Sequence, residues 1–188
     1  LPLRLSSEAT LGRPTTATAD SVLAAIATAV DLAAAGAASA VVTNPIHKSV
    51  LYAAGFDHPG HTEYLGARFG LSGVMMLSCP GLRTVPVTVH LPLAEVATHL
   101  SADKIVACGE VLAESLRNDF GIENPRLAVA ALNPHAGESG TLGREEIEII
   151  QPAAERLRAM GIDIMGPAPA DTLFHAAARA RYDAALCM

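Results

Sequence analysis

Three polar clusters stand directly behind apolar runs in this sequence: Thr43 to Lys48, His90 after Val85-Pro-Val-Thr-Val89, and Asn133 to Ser139 after Leu127 to Leu132. In open parallel sheets ligands collect beyond the carboxyl ends of the strands, so the shared position matters more than any single side chain. His90 and His135 offer neutral imidazoles, donors that suit a divalent cation. The plainer account makes His90 a strand-end histidine bonded to a carbonyl and His135 a turn histidine facing water. No HExxH or CxxC spacing occurs, so a third ligand has to come from elsewhere.

His61 and Thr62 follow Pro59-Gly60 at an expected helix start, where they and the backbone amides could hold a phosphate or carboxylate. Simple helix capping competes, with Glu63 favouring the positive helix end. Lys48 is either a solvated surface lysine or a group that assists proton transfer at a reacting hydroxyl. Asp171, in Pro169-Ala-Asp-Thr-Leu-Phe174, is expected as an N-cap, which leaves room for a catalytic role. His47, His58, His99 and His175 read as surface or structural. Cys108 reads as helix core packing, because no basic partner is evident to activate it.

The elements that must position these groups alternate between helix and strand. Asp20 or Ser21 is expected to cap a helix to about Ala35, with Gly36 as its stop. Short helices are expected over Val50 to Ala54 and His61 to Arg68. Ser101 should cap a long one through Ile105, Leu112 and Leu116 to about Asp119. A further helix begins near Arg144, carries Ile147, Ile150 and Leu157 on one side, and ends at Gly161. Strands are expected at Ala40 to Thr43, Val74 to Leu77, Val85 to Val89, Leu127 to Leu132, Ile162 to Met165 and Tyr182 to Met188. This rhythm predicts an α/β fold with a largely parallel sheet. Neither a repeat nor a low-complexity linker is visible, so no boundary between lobes is placed.

Composition fits that fold and narrows the function. Of the 188 residues 51% are hydrophobic but only 4% aromatic, so the bulk is Ala, Val, Leu and Ile, as suits buried parallel strands under Ala-rich helices. A formal charge of −6 argues against nucleic acid as a partner. The stretch Val22 to Ala35, interrupted by Asp31, is expected to be too short to span a bilayer. With no signal peptide or basic anchor visible, no membrane partner is expected. Cys79, Cys108 and Cys187 are odd in number and far apart, which points to a reducing cytoplasm rather than a disulfide framework. Neither GxGxxG between strand and helix nor GxxxxGK[ST] occurs, so a nicotinamide cofactor would not bind through the dinucleotide fingerprint. The leading Leu1 and the strand-like Ala184 to Met188 suggest that both ends are cut.

Five segments together resemble the 4-hydroxythreonine-4-phosphate dehydrogenase (PdxA) family. They are Val42-Thr-Asn-Pro-Ile-His-Lys48, Pro59-Gly-His-Thr-Glu-Tyr-Leu65, Val89-His-Leu-Pro-Leu93, Leu132-Asn-Pro-His-Ala-Gly-Glu138 with Gly143, Glu145 and Glu146, and Gly166-Pro-Ala-Pro-Ala-Asp-Thr-Leu-Phe174. They stand in the family's order and spacing through nearly the whole chain. The resemblance implies an isopropylmalate/isocitrate-dehydrogenase-like α/β/α architecture, incomplete at both termini, in a homodimer with active sites at the subunit interface. It implies oxidation of 4-phosphohydroxy-L-threonine by NAD or NADP with one divalent metal ion (Zn, Mg or Co). The β-keto acid product then decarboxylates to 3-amino-2-oxopropyl phosphate, a step of pyridoxal phosphate biosynthesis. On the matching positions, His61 and Thr62 are substrate-binding, and His90 and His135 are metal ligands. Asp171 is an acidic residue of the active-site region, and Lys48 a lysine of the substrate pocket. The family's third metal histidine and its later substrate-binding lysine, asparagine and arginine belong to a segment following Met188.

Other readings share these motifs. A related dehydrogenase could act on another phosphorylated hydroxy acid or a dihydrodiol carboxylate with the same metal site. A metal-dependent hydrolase would need a base over a metal-bound water, and Glu138 is the one nearby candidate. An inactive fragment is the third.

Overall fold

The computed structural model describes residues 4, 5 and 7–188, in two compact units, Leu1–Gly73 and Val74–Met188. The first is helical: α1 (Ala19–Ala34), α2 (Lys48–Ala53) and α3 (His61–Phe69). Ala19, Leu51 and Phe56 form its small core, with Val22, Leu23, Ile46 and Tyr64 packed around them. An Arg68–Asp31 ion pair ties the end of α3 to α1.

Three expectations for this unit need correction. Thr18, not Asp20 or Ser21, holds the N-cap position of α1 and makes no side-chain cap bond, and Asp20 falls inside the first turn. Ala40 to Thr43 is not a strand. Among the described residues the unit offers it no strand to pair with, and Val42 is 96% exposed. The helical run including the 3-10 turn before α1 spans Thr16–Ala34, 19 residues of mean hydropathy 1.4, so by length and composition it could cross a bilayer. Of that stretch 17% is buried, with Ala19 packed against Leu51 and Phe56 and Asp31 paired to Arg68.

The second unit is built on a five-stranded sheet in the order β1-β2-β5-β3-β4. β1 (Leu77–Cys79) and β2 (Leu82–Pro86) form an antiparallel hairpin around Pro80-Gly81, while β2, β3 (Arg126–Ala130), β4 (Asp163–Ala168) and β5 (Ala184–Cys187) are mutually parallel. The largely parallel α/β sheet expected from the sequence is present. Its strand side chains alternate as a pleated strand requires. Leu127, Val129, Ala184 and Leu186 join the larger core with Ile105, Leu112 and Leu116 of α5 (Ala102–Asn118) and Ala153 and Leu157 of α6 (Gln151–Ala159). Ala128, Ala130 and Ala185 face the other way, onto Leu173 and Tyr182. Burial on both faces explains why these strands read as continuous apolar runs.

Ser101 caps α5 as expected, accepting the Lys104 amide at 3.3 Å. Strand ends move by a few residues: Val74 to Leu77 becomes Leu77–Cys79, and Val85 to Val89 becomes Leu82–Pro86. Pairing nevertheless continues past Pro86, because the Val87 amide donates to the Cys187 carbonyl at 2.8 Å and the Thr88 hydroxyl to the Met188 carbonyl at 2.7 Å. The helix expected near Arg144 opens with a widened π turn, Glu146–Ile150, that runs into α6. Ile147 is 41% exposed and off the core-facing stripe. The stripe consists of Glu146, Ile150, Ala153, Ala154 and Leu157, all buried.

Candidate functional site

Because β2, β5, β3 and β4 are parallel, their carboxyl ends open on one edge of the sheet, where parallel sheets gather ligands. His90 follows β2, His135 follows β3 and Asp171 follows β4. His90 is exposed, with φ +58°, a left-handed conformation uncommon outside glycine.

The loop after β3 is more unusual. His135, Ala136, Gly137, Glu138 and Ser139 form an unbroken left-handed run, with φ between +42° and +74°. Each non-glycine residue there costs roughly 1–2 kcal/mol, a cost that persists only where the surroundings fix the backbone. The run carries the His135 ring outward, and its Nδ1 lies 3.4 Å from Asp171 Oδ2.

Asp171 does not cap its helix. α7 (Ala170–Leu173) has Pro169 at the N-cap, with Asp171 in the first turn. The short helix is anchored by buried Leu173, whose carbonyl accepts the Tyr182 hydroxyl at 3.1 Å. That anchoring leaves Asp171 free to face the histidine. Ala131 to His135, Ala170 and Asp171 line a concavity of about 280 Å³.

The donors suit a divalent cation. With Nδ1 beside the Asp171 carboxylate, Nε2 is the His135 nitrogen left for a cation. Among the described residues no three His, Cys, Asp or Glu side chains form a metal-holding cluster, so His90 does not complete one with His135 and Asp171. Cys108 and Cys187 take no part. Burial raises both thiols, Cys187 to about 11, which keeps them protonated.

In the helical unit, Lys48 opens α2, and His61 and Thr62 open α3. The N-cap of α3 is Gly60, with no side-chain cap bond, so neither His61 nor Thr62 is a cap. His61 Nε2 is shielded from solvent without a hydrogen-bond partner among the described residues. A methyl group added at Gly60 would lie 3.3 Å from Glu63 Oε2 and 3.8 Å from Lys48 Nζ, so both charged groups crowd the start of α3. The Thr62 methyl packs against Gly73. The structure thus groups Lys48 with the His61 turn in one unit, and His135 with Asp171 in the other.

Sequence reading counted Glu146 among the residues of the resemblance but gave it no role of its own. It is the one buried charged side chain among the described residues, 5% exposed. Its signal was a carboxylate on the stripe that Ile150, Ala153 and Leu157 bury, where a charge is costly unless it is hydrogen-bonded.

The sequence model of the family described as pyridoxal phosphate biosynthetic protein PdxA matches residues 2–188. The 4-hydroxythreonine-4-phosphate dehydrogenase of Caulobacter vibrioides is 53% identical over 100% of this chain and 59% of its own length. That of Bradyrhizobium diazoefficiens is 52% identical over 94% of this chain and 53% of its own. The crystal structure of a 4-hydroxythreonine-4-phosphate dehydrogenase from Burkholderia phymatum superposes with TM-score 0.85 at 37% identity, covering 96% of this chain and 55% of that one. A terephthalate 1,2-cis-dihydrodiol dehydrogenase from Burkholderia xenovorans LB400 superposes with TM-score 0.74 at 28% identity, covering 100% and 60%. The chain therefore spans little more than half the length of its relatives, and with a family match over nearly every residue it belongs to the PdxA family, whose fold is isocitrate-dehydrogenase-like.

Proposed function

We propose that this chain carries the central part of an NAD(P)-linked, divalent-metal-dependent dehydrogenase that oxidises 4-phosphohydroxy-L-threonine. The observation that carries this reading is His135 on its left-handed loop with Asp171 behind it, at the sheet edge where His90 also emerges. His90 and His135 would hold the cation through imidazole nitrogens, and Asp171 would orient the His135 ring. A divalent cation at this position would lower the pKa of the substrate hydroxyl and polarise the ketone that replaces it. Lys48 is assigned the proton that leaves that hydroxyl, and a nicotinamide cofactor, when bound, would supply the hydride acceptor. His61 and Thr62 are assigned substrate contacts, since neither is used as a cap. The β-keto acid then loses carbon dioxide. A homodimer and a cytoplasmic setting complete the proposal, the latter in keeping with free Cys79, Cys108 and Cys187.

β5 lies between β2 and β3. A segment continuing beyond Met188 would emerge between the strands that carry His90 and His135, which is where a third ligand is needed.

A second reading rests on the structural likeness to the dihydrodiol dehydrogenase: the same scaffold acting on a cyclic dihydrodiol carboxylate. Nicotinamide reduction by this chain should be followed with each substrate, with zinc, magnesium or cobalt and after chelation, using the Caulobacter enzyme as control. Metal-dependent reduction with phosphohydroxythreonine and not with the dihydrodiol is expected, far slower than with the Caulobacter enzyme because two imidazoles alone bind a cation weakly. Turnover of only the dihydrodiol would favour the second reading, and none with either would make this chain inactive by itself.

A further inference from the structure

We infer that Glu146, acting with Asn133, is a positioning residue that holds the backbone of the His135 loop in its metal-presenting form. This deepens the metal-site reading proposed above. The observation is a closed set of contacts around a strained segment. Asn133, immediately ahead of the left-handed run, donates its backbone amide to Glu146 Oε1 at 2.7 Å. Its side-chain amide donates to Glu146 Oε2 at 2.9 Å and to Glu145 Oε2 at 2.7 Å. Both carboxylate oxygens of Glu146 are thereby engaged by one residue.

The far side of the loop closes on the same carboxylate. A Cβ on Gly137, in the middle of the run at φ +74°, would lie 2.8 Å from Glu146 Oε2 and 2.9 Å from the Gly143 carbonyl. A Cβ on Gly143, at φ +125°, would lie 2.4 Å from Asn133 Nδ2. Glycine at both positions lets the loop wrap around the acid with no intervening side chain. The acid itself is held by the helix that follows, because the stripe on which Glu146 stands continues into buried Ile150, Ala153 and Leu157. Its role is to connect the packed core to a loop that would otherwise relax out of the left-handed region. Asp171 sets the ring of His135, and Glu146 sets the backbone from which that ring projects.

Glu146→Gln separates this role from bulk. The shape is kept, but one acceptor oxygen becomes an amide that must face the donating amide of Asn133. Three quantities should be measured on this chain: zinc affinity by calorimetry, hydrogen exchange of the amides from 135 to 143, and melting temperature. His135→Ala serves as the reference for zinc bound at the candidate site. Expected are exchange at least about tenfold faster in that loop alone and zinc binding weakened about 10–100-fold, the range for outer-shell losses. Should Glu146→Gln not fold, Asn133→Ala, which keeps the backbone bond to Glu146 possible, should show the same two effects at several-fold size. Faster exchange with unchanged zinc affinity, while His135→Ala weakens binding, would overturn the positioning role and leave Glu146 a stability residue. Zinc binding indifferent to His135→Ala would overturn the metal-site reading and the inference with it.

Discussion

Thr62 is the residue on which substrate binding and mere structure separate most cleanly. Its methyl packs on Gly73, and its hydroxyl does not cap α3. Thr62→Val keeps the methyl and removes the hydroxyl, so packing survives the change. In the active enzyme this variant should raise KM several-fold with kcat little altered, as expected when ground state and transition state lose the same contact. His61→Ala should lower kcat as well, because a misplaced reacting carbon costs rate. A melting temperature lowered in both variants, with kinetics per folded molecule unchanged, would return the pair to a structural role. The types and positions of these residues were legible in the sequence, since His61 and Thr62 stand at a helix start marked by Pro59-Gly60. The partner of His135 was not. Asp171 was read as a cap from its local pattern, and only the long-range placement of α7 beside the loop after β3 shows which way it faces.

At the scale of elements, the parallel strands were readable because both faces are covered and their apolar runs are continuous. Ala40 to Thr43 failed for the complementary reason: its composition is that of a strand, but strand identity requires a paired neighbour, which local sequence does not report. Strand starts are set by polar contacts just as distant. Asp183, ahead of β5, accepts the backbone amide of Arg126 at 2.8 Å and its guanidinium at 3.0 and 3.2 Å, tying the start of β3 to β5. Hydrogen bonding by the Arg126 side chain holds the Asp183 carboxyl below its ordinary range, against a smaller opposing effect of burial. A carboxylate depressed in the folded state contributes stability that is complete above the unfolded pKa, about 3.9, and is lost as pH falls through the lower folded value. Asp183→Asn should therefore lower Tm by a few degrees at pH 7, with the half-exposed arginine keeping the effect modest. The gap between variant and parent should close as pH falls below about 4. Thermal melts across that range check it, and a gap that persists at low pH would assign the effect to geometry rather than charge.

For the whole molecule, the question is how much of a metal site this chain holds. The described residues contain no cluster of three potential ligands, and the chain covers 59% of the Caulobacter relative. A catalytic zinc ion normally takes three protein ligands and leaves one position open. The sheet order puts β5 between β2 and β3, so the carboxyl end of that strand lies between the strands that lead to His90 and His135. On this reading the chain supplies two imidazoles and the orienting acid, and an incomplete set binds weakly. Calorimetry with zinc should give an affinity for this chain at least about 100-fold below that of the full-length Caulobacter enzyme, because losing a direct ligand should cost no less than the 10–100-fold lost with an outer-shell partner. His90→Ala and His135→Ala should each remove most of what remains, and Glu138→Ala, on the same loop, should not. Equal affinities in the two proteins would mean that the third donor is already within the chain, and the assignment of the ligands would have to be redrawn around it.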